Sequence, residues 1–159
     1  MSRRLLALCV AAGVLSVVVS PLRAQSADQQ EVLAVVNRLF EGMRTMDTAM
    51  MRATFEPGAR LAGLRPRQDG SSVLSLVTVD QFANAVANNT RGEWLERIYQ
   101  PEVRIEGSLA TVWAPYDFHL NGTFSHCGVD AFQLLKTGAG WKIVAVADTF
   151  QREGCPERM

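Results

Sequence analysis

Ala110–Leu120 (ATVWAPYDFHL), Phe124–Leu135 (FSHCGVDAFQLL) and Trp141–Phe150 (WKIVAVADTF) are three long runs rich in β-branched and aromatic residues. Asn121-Gly122 separates the first two, and Gly138-Ala139-Gly140 the last two. Asn-Gly between such runs is the strongest short hairpin signal, because both turn residues must adopt positive φ. A fourth run, Glu93 to Ile105, precedes them across Gly107-Ser108. The pattern predicts a meander of four long antiparallel strands.

Successive side chains on a strand point to opposite faces. His126, Gly128, Asp130, Phe132 and Leu134 therefore share one face of the third strand. Ala114, Tyr116, Phe118 and Leu120 share one on the second, and Val144, Val146, Asp148 and Phe150 one on the last. Pairing Thr137 with Trp141 across the glycine turn sets Asp130 opposite Asp148, both pointing the same way. Asp117 and His119 fall on the other face, towards solvent or a partner chain.

Upstream the period changes. Val32, Val35, Val36, Leu39, Phe40, Met43 and Met46 recur at helical spacing within Asp28–Met46, and Asp28 with Glu31 fits a capping box. Asp47 suits the cap of a second short helix to about Thr54. Pro57, Gly58, Gly63, Pro66 and Gly70 punctuate the next stretch. Leu61 and Leu64, then Val73, Leu74, Leu76 and Val77, predict two short strands around a polar tip at Arg65 to Ser72. Thr78 with Gln81 opens a third helix to about Asn88. Helices followed by a meander imply an α+β domain with helices on one face of the sheet.

The N-terminus reads separately. Arg3 and Arg4 precede a fifteen-residue apolar run, Leu5 to Val19, broken by Pro21, with Ala24 a small residue before Gln25. This is the pattern of a signal peptide over residues 1–24; an uncleaved anchor would want about 20 apolar residues. The domain then spans 25–159, in the periplasm or secreted, with no membrane contact after cleavage. Losing Arg3, Arg4 and Arg23 leaves 13 basic residues against 16 acidic, a net charge of −3. That balance argues against nucleic acid as a partner. Cys127 and Cys155 remain, an even count that an oxidising compartment would pair as one disulfide; the alternative is two separate buried thiols. Their spacing, and that of the two histidines, gives no metal pattern.

The element order resembles the nuclear transport factor 2-like superfamily over the whole of 25–159. The tail is similar to its exported branch of polyketide-cyclase-like and lumazine-binding domains. The residues that carry the likeness are Val112–Phe118, Ser125–Phe132, Gly140-Trp141-Lys142-Ile143 and Ala147-Asp148-Thr149. The resemblance implies a cone: a curved, mainly antiparallel sheet packed against about three helices, with an internal cavity and often a dimer across the sheet. Compared with the superfamily's ketosteroid-isomerase branch, Asp130 matches the oxyanion-hole aspartic acid. The general-base aspartate position falls on Gly63 and the oxyanion tyrosine on Leu39, so one of three groups is kept.

Two carboxyls facing each other in an apolar cone cannot easily both ionise, so one pKa should rise. Asp130, Asp148 and His126 are thus the candidate catalytic groups. Phe40, Met43, Phe55, Trp94, Tyr116, Phe118, Asp130, Phe132 and Phe150 are the candidate lining, which suits a small apolar or aromatic molecule. No cofactor and no metal is expected. Three functions compete: a small-molecule-binding protein; a lyase, isomerase or cyclase using Asp130 with Asp148 or His126; and a dimeric assembly module. The missing isomerase groups favour the first.

Overall fold

The computed structural model describes residues 26–156. The leader expected over 1–24 lies outside the described residues, as do residues 157–159. The order is α1 (Ala27–Thr45), α2 (Thr48–Thr54), β1 (Phe55–Pro66), β2 (Ser72–Thr78), α3 (Val79–Ala87), β3 (Trp94–Ile98), β4 (Glu102–Glu106), β5 (Leu109–Leu120), β6 (Thr123–Thr137) and β7 (Gly140–Asp148). The strands form one sheet in the order β2-β1-β7-β6-β5-β3, with β4 also on β5. All pairs are antiparallel except β1 with β7. The helices close one side of this curled sheet, as the α+β reading expects.

Local chemistry starts the helices. The cap of α1 is Ser26, not Asp28: its hydroxyl accepts from the Gln29 N–H at 3.2 Å, and the Gln29 side chain accepts from the Ser26 N–H at 2.9 Å. This reciprocal pair, begun two residues earlier, satisfies two otherwise orphaned donors, and Asp28 is left in the first turn. Asp47 caps α2, and Thr78 with Gln81 caps α3, as their spacing predicts. The apolar stripe of α1 is buried through Val32, Val36, Leu39, Phe40 and Met43, against Phe132, Leu134 and Ile143 of the sheet.

Three departures from the simple meander position the site. The expected strand Glu93–Ile105 is two strands, broken at Gln100, where φ is +44°, and Pro101. Proline has no N–H to give the ladder. Ile98 pairs with Tyr116 and Glu102 with Trp113, so three residues oppose two. The bulge flips parity: Trp94, Glu96 and Ile98 face inward before it, Val103 and Ile105 after it.

The second departure is at the β6–β7 turn, which pairs Thr137 with Gly140 rather than with Trp141. A bulge between Gln133 and Leu134 then leaves Val144 as an extra residue and restores Asp130 opposite Asp148. Val144 is therefore not the inward residue that plain alternation implies; Ile143 is, fully buried. The third departure is β1, one strand of twelve residues beginning at Phe55, not a short strand after a loop. It lies parallel to β7, with Gly63 beside Asp148. Arg65 belongs to this strand, paired with Val73, and not to the polar hairpin tip.

Candidate functional site

A cavity of about 310 Å³ opens between the concave sheet face and the helices. Its apolar wall takes Leu39, Phe40 and Met43 from α1, Phe82 from α3, and Trp94, Phe118, Phe132 and Val146 from the sheet. Its polar end is built from four strands: Arg65 of β1, Glu96 of β3, Asp130 of β6 and Asp148 of β7. His126, Tyr116 and Phe150 complete it.

Of the residues proposed from the sequence, Asp130, Asp148, His126, Phe40, Met43, Trp94, Tyr116, Phe118, Phe132 and Phe150 all border this cavity. Phe55 does not. It is 5% exposed in the core, because β1 starts there, beside Ile143 at the closed end of the sheet.

The carboxyls do not pair as the sequence suggests. Asp148 is held by Arg65, with Nη1 at 2.7 Å from Oδ2 and Nη2 at 2.9 Å from Oδ1. This two-point fork fixes the carboxylate. The glycine at 63 makes it fit: a Cβ there would run into Asp148 Oδ1 and the Arg65 guanidinium. Gly63→Ala should displace the pair and cost about 1–3 kcal/mol by overpacking. Denaturant unfolding checks the loss, and a crystal structure of the variant checks the displacement.

Asp130 interacts instead with Glu96, within hydrogen-bonding reach. Asp130 is 4% exposed, and its Oδ2 is buried without a donor. Burial pushes the Asp130 carboxyl up to about 7, with the charge of Asp148 adding to the rise. The bond from Glu96 and the Arg65 charge oppose it. Glu96 keeps some accessible surface, but that surface faces the cavity and protein encloses the rest. Its carboxyl is driven well above the ordinary range, first by burial and then by Asp130. Their shared hydrogen bond raises Glu96 and lowers Asp130, which describes Glu96 protonated and donating to Asp130, while Oδ2 is left without a donor.

His126 lies between two rings, stacked on Phe118 at 4.8 Å and on Phe150 at 4.1 Å between centroids. Burial, with the charges of Arg65 and Arg152, lowers its pKa to about 4, so the ring is neutral near pH 7. Tyr116 donates to the Thr149 carbonyl at 2.7 Å, and burial raises its phenol above its usual range. Asp117 faces away from the cavity as alternation requires, yet it is 6% exposed. Arg97, Tyr99 and His119 cover it, with Arg97 Nε at 3.1 Å.

The Cys127–Cys155 disulfide is formed. It ties down a short strap after β7. Gln151 and Cys127 exchange backbone bonds at 2.9 and 3.0 Å, and Val129 N–H donates to the Thr149 hydroxyl at 2.9 Å. Phe150, on this strap, is part of the cavity wall.

Sequence reading missed Glu96 and Arg65. Glu96 was within reach: Trp94 was placed on the cavity, and alternation puts Glu96 beside it. Arg65 depends on β1 running next to β7, a contact across 83 positions that no local pattern reveals.

This cone with a pocket at its carboxyl-bearing end is a nuclear transport factor 2-like domain. Residues 27–148 match the family described as "Putative lumazine-binding", and the chain belongs to it. No curated protein matches. Among solved structures, a nuclear transport factor 2-like protein of unknown function from Shewanella baltica is 20% identical. The match covers 82% of this chain and 100% of that one, at a TM-score of 0.59. A cystatin-like-fold protein from Nostoc punctiforme is 13% identical over 80% of this chain and 95% of that one, at 0.64. A protein from Streptomyces avermitilis called a putative dehydratase is 14% identical over 77% and 95%, at 0.61. At these identities the likeness is one of fold.

Proposed function

We propose that this chain is an exported small-molecule-binding protein whose pocket takes a flat, largely apolar ligand. The observation that carries the reading is an aromatic-walled cavity ending on a buried carboxyl with an unsatisfied oxygen. Its volume is at the low end for ligand pockets and leaves room for about two fused rings. The family's description as lumazine-binding supports small-molecule binding, since lumazine is itself a flat bicyclic molecule. Export rests on the leader pattern of the sequence. The disulfide fits an oxidising compartment, and no helix among the described residues is long and apolar enough to cross a membrane. Dimerisation, where it occurs, would use the outer sheet face, on which Trp113, Leu109 and Leu135 are exposed.

Native mass spectrometry of the exported protein tests the reading. A non-covalent adduct of a few rings' mass is expected on the wild type. It should be absent from Val77→Trp, which fills the cavity from β2. A fragment screen by ligand-observed NMR that finds no binder, or the same binders in Val77→Trp, would remove the pocket reading.

A second reading, proton-transfer chemistry of the lyase, isomerase or cyclase kind, is favoured by one observation. Asp130, pushed to about 7, has the pKa of a working acid–base group. The partners that the sequence suggests for it are poorly suited. Asp148 is engaged by Arg65, and His126 is a weak base at about 4. In this reading Glu96 replaces them. An open cavity also weighs against a pure assembly module, which would have no use for one.

A further inference from the structure

Three carboxyl groups and one guanidinium meet at the polar end of the cavity. Arg65 is the cation, and both of its terminal nitrogens are engaged by Asp148. That pair is neutral as a unit. Glu96 and Asp130 share one proton and are left with no cation of their own, and Asp130 Oδ2 has no donor. The nearby hydroxyl of Tyr116 is committed to Thr149 and does not serve them. Among the described residues no set of His, Cys, Asp and Glu is grouped to hold a metal ion. What the site lacks is a hydrogen-bond donor with positive charge, beside the stacked rings of Phe118, His126 and Phe150.

We infer that the occupant is a flat aromatic molecule bearing a protonated or amidine-type nitrogen, seated with its N–H groups on the Glu96–Asp130 pair. The inference rests on the pocket reading and adds the ligand's charge. A cation's N–H can take the place of the shared proton, and charge-assisted bonds to carboxylate are the stronger kind. The ring system lies against Trp94 and the aromatic stack, where a cationic ring also gains from the π faces. An anionic ligand would meet three carboxyl groups and a guanidinium already neutralised.

Binding of such a cation releases the proton held by the pair. The groups that face the pair are Asp148 and Arg65 from β7 and β1, Tyr116 from β5 and, further along β6, His126, itself next to Arg152. Near pH 7 Arg65 stays charged and His126 and Tyr116 stay neutral. Asp130, pushed to about 7, is therefore the group that titrates near neutral pH.

The test uses three probes of one shape: 2-naphthamidine, 2-naphthamide and 2-naphthoate. Calorimetry on the wild-type protein should show the amidine binding about 10- to 100-fold more tightly than the naphthoate, the range expected of one or two charge-assisted bonds. Its affinity should rise from pH 6 to pH 8, with proton release seen as a dependence of the heat on buffer. Asp130→Asn with Glu96→Gln should abolish the preference while still binding 2-naphthamide, which shows that the variant is folded. Naphthoate binding as tightly as the amidine, or amidine affinity falling as pH rises, would overturn the charge assignment and leave the pocket reading standing. Binding by none of the three would overturn both.

Discussion

Asp130→Asn should make the protein more stable at pH 8 while leaving it nearly unchanged at pH 3.5. The wild-type carboxyl ionises at an ordinary 3.8 in the unfolded chain and at about 7 in the folded one. Below 3.8 it is protonated in both states. Between 3.8 and 7 the unfolded chain ionises first, so the wild type loses stability as pH rises through this window. Above 7 both states are ionised and the full loss is in place. The span between 3.8 and about 7 corresponds to at most about 4 kcal/mol. Asparagine has no charge to bury, and its amide N–H can donate to Glu96. Denaturant unfolding from pH 3.5 to 8 should show the two curves diverging towards high pH. Parallel curves would mean that Asp130 titrates as an ordinary carboxyl. A stabilising loss of a buried carboxylate is what a binding group at a strained site gives.

The same experiment exposes His126. Its folded-state pKa of about 4 lies below the ordinary 6.5. Its contribution is present above 6.5 and is lost as pH falls through about 4, the opposite sense to Asp130. In the wild type the two trends offset each other over the same window. In Asp130→Asn the acid-side loss from His126 should appear uncovered.

These groups show where a sequence is legible and where it is not. The ketosteroid-isomerase resemblance placed Asp130 inside the cone, and strand alternation placed His126 and Phe132 there with it. The two-residue Asn121-Gly122 turn alone would set His126 opposite Asp117, and a bulge at Ser125 brings it opposite Phe118 instead. Asp148 arrived opposite Asp130 for a reason the sequence does not display. The turn is one residue tighter than the Thr137–Trp141 pairing assumes, and the bulge at Val144 adds that residue back. A bulge leaves no reliable local mark among residues as uniform as Ile143, Val144, Ala145 and Val146. The break at Gln100-Pro101 does carry a mark, the proline, which the reading of one strand over 93–105 passed over. The choice of partner for Asp130 was beyond local reading. It depends on curvature that brings β3 across to β6, and on a parallel β1 that delivers Arg65 to Asp148. Gly63 is the link between sequence and geometry: where the ketosteroid-isomerase resemblance would place a base, its missing side chain admits the Arg65–Asp148 pair.

Reduction of Cys127–Cys155 is expected to lower the stability of the fold by about 3 kcal/mol, the effect of opening a closed loop of this length in the unfolded chain. The bond joins positions 28 apart, across most of β6, all of β7 and the strap. The loss should not be spread evenly. Without the bond the strap is held by the Cys127–Gln151 backbone pair, the Val129–Thr149 bonds, the Tyr116–Thr149 bond and the stacking of Phe150 on His126. These are few and lie at the sheet's margin, where local opening is cheapest. Amide hydrogen exchange at Thr149 and Gln151 should accelerate on reduction more than exchange in β5 or the centre of β6. The cavity reports the same event. Once Phe150 leaves, His126 loses one face of its aromatic sandwich and part of the burial that holds its pKa near 4. Its imidazole titration, followed by NMR, should then move up towards 6.5. Cys155→Ala should reproduce both effects without reductant and leaves the buried Cys127 side chain in place. An unchanged unfolding midpoint, with His126 still titrating near 4 after reduction, would show that the strap holds the pocket wall without its disulfide.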